Sequence, residues 1–165
     1  TPDDVRGNAK TLREAVTTKG WPTLESARGK IYFVLDTPSD VSDLYRAGHP
    51  SLKGRPIFGW YDTDQPEASV EIVGDPRTHG AKIQEWVKQG FIVRTRSDAD
   101  TKEARDNDHT RQQAAIDSGA QAVSTDYYPG APTRAWHKGF TVTLPGGVME
   151  RCNPVTQPAG CKLPK

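Results

Sequence analysis

Much is scarce in this chain. Its 165 residues include two cysteines and one methionine, and hydrophobic residues make up only 34%. No apolar run approaches the ~20 residues of a membrane-spanning helix. Net charge is scarce too: 22 Lys plus Arg against 21 Asp plus Glu leaves +1. Global electrostatics therefore gives no support to nucleic-acid or anionic-membrane binding, and any anion site must be local. The start, Thr1-Pro2-Asp3-Asp4-Val5, has no basic-then-apolar signal pattern. That fits a mature form, a cytosolic protein or a fragment. Proline (13) and glycine (15) are plentiful and imply much loop.

Both cysteines, Cys152 and Cys161, lie in a proline-rich tail with little reason to pack. A disulfide would tie it down, contributing about 2.5–3 kcal/mol by the loop-entropy estimate. Two free thiols or half a zinc site are the alternatives, and the zinc reading lacks the local CxxC or HxxxH spacing. The bridge is the favoured reading and implies an oxidising, extracellular setting.

The remainder alternates in type. Thr1-Pro2-Asp3-Asp4 starts a helix with Val5, Leu12, Ala15 and Val16 as its apolar stripe. Ile31-Tyr32-Phe33-Val34-Leu35 is a continuous apolar run typical of a strand covered on both faces, and it ends in Asp36. Strand candidates follow at 56–61 and 69–73, then a helix over about 81–88. The stretch 90–128 reads as strand, polar loop, helix, glycine turn at Ser118-Gly119, and strand. Phe140 to Leu144 is a possible extra edge strand. Such alternation predicts α/β with a parallel sheet, whose ligands bind beyond the carboxyl ends of the strands. We expect one domain over 1–139 and a C-terminal extension over 140–165.

Several segments, taken in order, carry a resemblance. They are Trp21 to Leu24, Arg28 to Asp36, Gly48 to Leu52 with Gly54-Arg55, Val93 to Thr101, Ser118 to Tyr128, Leu144 to Gly147 and Arg151 to Val155. Together they resemble the C-terminal portion of a secreted, calcium-dependent phosphoinositide phospholipase C-like phosphodiesterase. The last strand, ending Ser124-Thr125-Asp126-Tyr127, is more distantly similar to that of glycerophosphodiester phosphodiesterases. The resemblance implies a TIM-like (βα) barrel of which this chain holds about the last five strands. It also implies hydrolysis or lysis of an inositol-phosphate diester, with Ca²⁺ held by strand-end carboxylates and an asparagine. A histidine pair on early strands does the acid–base work in such enzymes. None of His49, His79, His109 or His137 stands in a matching motif, so the catalytic acid and base are not assigned. The partners implied are a lipid head group or inositol phosphate, and either an N-terminal half of the barrel or a second copy of the chain. Glycerophosphodiester hydrolysis on the same scaffold is one alternative. A non-catalytic half barrel that binds a phosphate-bearing ligand is another.

Residue by residue, Asp36 is read as a Ca²⁺ ligand or as a cap for the loop Thr37-Pro38-Ser39-Asp40. Arg94 and Arg96 alternate on one strand face, where guanidinium forks suit a phosphate, or an ion pair with Asp98, Asp100 or Asp126. Asp126, Tyr127 and Tyr128 follow the last strand, where an aromatic face can stack on an inositol ring, or where one tyrosine of the pair simply closes the barrel mouth. The expectation is that Asp36, Arg94, Arg96, Asp126 and Tyr127 share one rim. Asp75 reads as a turn residue, Trp60, Trp86 and Trp136 as packing residues, and Asp98 to Arg111 as a solvated helix face.

Overall fold

In the computed structural model, residues 1–37, 39–132, 134–157 and 161–163 are described. Pro38, in the loop after Asp36, lies outside them, as do 158–160 and 164–165 of the expected extension. The chain divides into two compact units. The first holds Thr1–Ile72 with Gln89–Ile92, and the second holds Val73–Lys88 and the chain from Val93 onward.

The first unit opens with α1 (Pro2–Arg6), where Thr1 and Asp4 form a capping box. One continuous helix was expected here. Instead the chain breaks at Gly7, in a positive-φ conformation, and resumes as α2 (Leu12–Thr18) under a Thr11 cap. Leu12 joins Leu52, Phe58, Tyr61 and Val70 in the core, with Val5, Trp21 and Val34 packed against them. After α3 (Leu24–Ala27) come β1 (Val34–Leu35), α4 (Ser39–Arg46), β2 (Phe58–Gly59) and β3 (Val70–Ile72). β1 and β2 are parallel, with Val34 opposite Phe58, and a parallel bridge joins Trp60 to Val70. Ile92 N donates to Ser69 O at 3.1 Å. Gly90 must be glycine: its φ is +99°, and a Cβ there would strike the Val16 carbonyl.

The run 31–35 departs from expectation. Only its last two residues are strand, and Ile31 and Phe33 are 80% and 63% exposed. Tyr32 packs its ring against Trp21 and Phe58, and Val34 packs on the same core. Alternation then turns Ile31 and Phe33 to the other side. One face of this strand is covered, not two.

The second unit holds most of α5 (Pro76–Gln89) and of β4 (Ile92–Arg96), then α6 (Lys102–Asp106), α7 (Thr110–Asp117) and β5 (Ala122–Ser124). β4 and β5 are parallel, pairing Arg94 with Ala122 and Arg96 with Ser124. Val93 packs with Val73, Ile83 and Val87 of the helix layer. The expected edge strand at 140–144 is irregular instead. Phe140 is drawn into a cluster with Ala104 and Tyr127, and Val142 N donates to Tyr127 O at 2.8 Å. The bridge Cys152–Cys161 is formed. Next to it, Arg151 donates to Ile116 O and Asn153 to Gly119 O, each at 2.6 Å. Val155 packs on the Val73–Val93 cluster and fills the space a Cβ at Gly119 (φ +75°) would need.

The result is a mixed α/β chain with parallel strand pairs, as expected. The polar run after Ala99 is not one solvated helix. Left-handed Asn107 ends α6, and Glu103 and Arg111 face inward.

Candidate functional site

In the first unit, the carboxyl ends of β1 and β2 open onto a cleft of about 580 Å³. Asp36, Trp60, Tyr61 and Asp62 enter it directly from the strand ends, and Ser42, Asp43 and Arg46 enter from α4. Arg46 is fully engaged: it reaches Asp43 at 2.7 Å, Gln65 at 3.0 Å and the buried Glu67 at 3.1 Å. Burial opposes its charge, but the hydrogen bonds to Glu67 and Asp43 outweigh that and raise its pKa. Tyr61 lies under the guanidinium and donates to Ser42 O at 3.0 Å. Burial pushes its phenol up to about 12, so it acts as a neutral donor. Trp60, expected to be a packing residue, is exposed and lines the cleft.

In the second unit, the packing of β4 sets which way the arginines face. Val93 turns to the helix layer and Thr95 is buried on the same side, so Arg94 and Arg96 project from the other face. Ala122 and Ser124 share that face, because directly paired residues point the same way. Arg96 and Asp126 are exposed. Tyr127 is not open to a ligand: it is 8% exposed, under the rings of Phe140, His137 and Trp136 at 5.3, 6.1 and 6.2 Å. Burial raises its pKa first, and the charges of Asp98 and Asp126 add to this. Tyr128 is the exposed member of the pair. Asp36 belongs to the first unit and the other expected residues to the second.

Beyond β3, Asp75 caps α5 and binds the Arg77 side chain at 2.8 and 3.1 Å. That bond, chiefly, lowers its carboxyl to about 2. Glu103, 2% exposed, binds Arg111 at 3.2 Å and accepts from Ala99 N at 2.9 Å. Desolvation would raise its pKa, but the hydrogen bonds from Ala99 and Arg111 carry it below the usual value. The Arg111 Nη2 donates to Gly74 O at 2.7 Å. The sequence does not show this network, because Asn107 ends α6 in the left-handed region and Glu103 and Arg111 turn inward.

The histidines serve local structure. His49 bonds Lys53 O, His79 bonds Asp75 O, His109 meets Gln112 and stacks on Phe140, and His137 accepts from Gly139 N.

The profile of the family described as phosphoinositide phospholipase C, Ca²⁺-dependent, matches residues 1–154. The chain belongs to that family. No curated protein and no solved structure matches it. Ca²⁺ is the cofactor of this phospholipase C family, and it takes about six to eight oxygen ligands. Among the described residues, no three acidic, histidine or cysteine side chains group closely enough to hold a metal ion. Asp36, which follows β1 and lines the cleft of the first unit, is an oxygen donor of the kind Ca²⁺ takes. No helix among the described residues is long and apolar enough to cross a membrane. The disulfide fits an extracellular protein.

Proposed function

We propose that this chain forms the head-group-facing part of a secreted phosphoinositide phospholipase C-type (βα) barrel. Residues 1–139 would supply about the last five strands, and 140–165 the disulfide-tied extension. The reaction would be attack at the phosphorus of an inositol phosphodiester. The observation that carries this reading is the burial of Val93 and Thr95, which turns Arg94 and Arg96 away from the helix layer. A guanidinium presents two parallel donors to two phosphate oxygens, and such donors stabilise the charge that develops as the diester is cleaved. Asp126 and Tyr128 would address the ring hydroxyls and face, with Tyr127 shaping the floor beneath them. Asp36, at the end of β1 in the first unit, would give Ca²⁺ one carboxylate.

The exposed face of Ile31 and Phe33 supports completion by further barrel strands, from an N-terminal half or from a second copy. The test is titration of the folded chain with inositol 1-phosphate. Arg96→Ala should weaken binding, and Arg96→Lys should restore it only in part, because a point charge replaces a fork. Equal affinity in all three proteins would remove Arg96 from the site.

A further inference from the structure

Between the ends of β4 and β5 lies a carboxylate that no step above uses. Asp98 is 4% exposed, a costly place for a charge unless hydrogen bonds satisfy it. Its Oδ2 accepts from the Ser97 hydroxyl at 2.8 Å, and its Oδ1 from the Asp126 main-chain N–H at 3.3 Å. Ser97 is itself fixed to β5: its N–H donates to Ser124 O at 3.1 Å, and its hydroxyl oxygen lies 3.1 Å from the same carbonyl. The Ser124 hydroxyl returns a bond to Thr95 O at 3.2 Å. Thus the ladder ends at Arg96–Ser124, and side chains continue it for one more step.

The loop beyond is unusual as well. Asp100 and Thr101 are consecutive residues with φ of 52° and 63°, and neither is glycine. A β-branched residue held there is strained, and surrounding contacts must hold it. Glu103 does so by taking the Ala99 N–H, and Asp98 anchors the loop on the other side. A carboxylate buried among neutral donors, at the point where two strand ends diverge, sets the spacing of what those ends carry. One end carries Arg96 and the other Asp126.

We infer that Asp98 is a positioning residue for head-group recognition, acting through the Asp126 main chain to hold Asp126 beside the end of β4 that carries Arg96. This rests on the reading of Arg96 and Asp126 as ligand-facing. Two variants separate geometry from charge. Asp98→Asn keeps an oxygen for the Asp126 N–H and can donate to Ser97, whereas Asp98→Ala keeps neither.

The experiment measures inositol 1-phosphate affinity and amide hydrogen exchange on the folded, disulfide-intact chain, with Arg96→Ala alongside. Asp98→Ala should weaken affinity about tenfold and speed exchange at the Asp126 amide, while Asp98→Asn stays within about twofold of wild type. A merely structural role would lower the melting temperature of Asp98→Ala without changing affinity well below it. Unchanged affinity in Asp98→Ala, with Arg96→Ala weakened, would overturn the inference alone. Unchanged affinity in both variants would remove the head-group reading and the inference with it. Unchanged exchange at Asp126 would show that the bond does no positioning, whatever the affinity.

Discussion

Two regions of this chain are built from the same materials, arginine, carboxylate and aromatic ring, yet use them differently. At the first unit's cleft, Arg46 is tied to Asp43, Gln65 and Glu67, while Trp60 and Asp62 remain open to solvent. In the second unit, Glu103 and Arg111 are buried against each other, while Arg96 and Asp126 stay exposed at the strand ends. In both, the charges that are paired build structure, and the charges that face solvent at strand ends are the candidates for chemistry. Charge type alone does not separate the two roles. Burial and partnering do.

The comparison breaks if the buried pair proves dispensable. Glu103→Gln removes the charge facing Arg111, which is itself 7% exposed. Removing the carboxylate paired with that buried guanidinium should cost about 3 kcal/mol of stability, the low end for breaking a buried pair, because Asp75 still faces Arg111. Chemical denaturation would read this as a lower midpoint at similar slope. A loss within ~0.5 kcal/mol would put this network among ordinary surface pairs.

The tail comes next in size. The Cys152–Cys161 bridge closes a short loop next to Asn153 and Val155, which are built into the second unit. Replacing both cysteines with serine should cost about 2.5–3 kcal/mol if loop entropy dominates. The native protein should show no thiol reactive to labelling before reduction. Two rapidly labelled thiols would sink the bridge and the extracellular setting it supports.

Legibility in the sequence followed locality. The Thr1 capping box, the left-handed Gly119 and the strand at 92–96 are visible because their causes lie within a few residues. Cys152 and Cys161 were legible as a pair for the same reason. The run 31–35 misled because five consecutive apolar residues predict a strand covered on both faces, and only Tyr32 and Val34 meet a core. Glu103 and Arg111 both fall in the run read as a solvated helix face. A break at Asn107 in the left-handed region turns both inward, and composition carries no trace of that. Arg94 and Arg96 were legible as sharing a face, but which face depends on where Val93 packs. Tyr127 read as a ligand platform, and its burial depends on Phe140, far along the chain.

The exposed charges sharpen the comparison at smaller magnitude. Arg96→Ala should weaken inositol 1-phosphate binding about tenfold, or about 1.4 kcal/mol, with folding stability changed by less than ~0.5 kcal/mol. Stability falling as far as in Glu103→Gln would mean that Arg96 belongs with the structural charges. In a completed enzyme, Asp36→Asn should raise the Ca²⁺ concentration needed for activity. Equal Ca²⁺ dependence in the two proteins would leave Asp36 as a loop cap.

The smallest effect is in acid. Asp75 is held at about 2, first by the Arg77 side chain, and Glu103 is also held below its ordinary value. A depressed folded-state pKa means that the unfolded chain binds the proton more tightly. The stabilisation is therefore complete above the unfolded carboxylate pKa of about 4 and is lost as pH falls toward about 2. Asp75 is a third exposed, so solvent screening limits its share to about 1 kcal/mol or less. Asp75→Asn should thus flatten the acid limb of a stability–pH profile slightly and leave the profile above pH ~5 parallel to wild type. Glu103→Gln should flatten the same limb on top of its large offset at neutral pH. A profile for Asp75→Asn that diverges from wild type near neutrality would mean that the Asp75 carboxylate is not the group behind the acid limb.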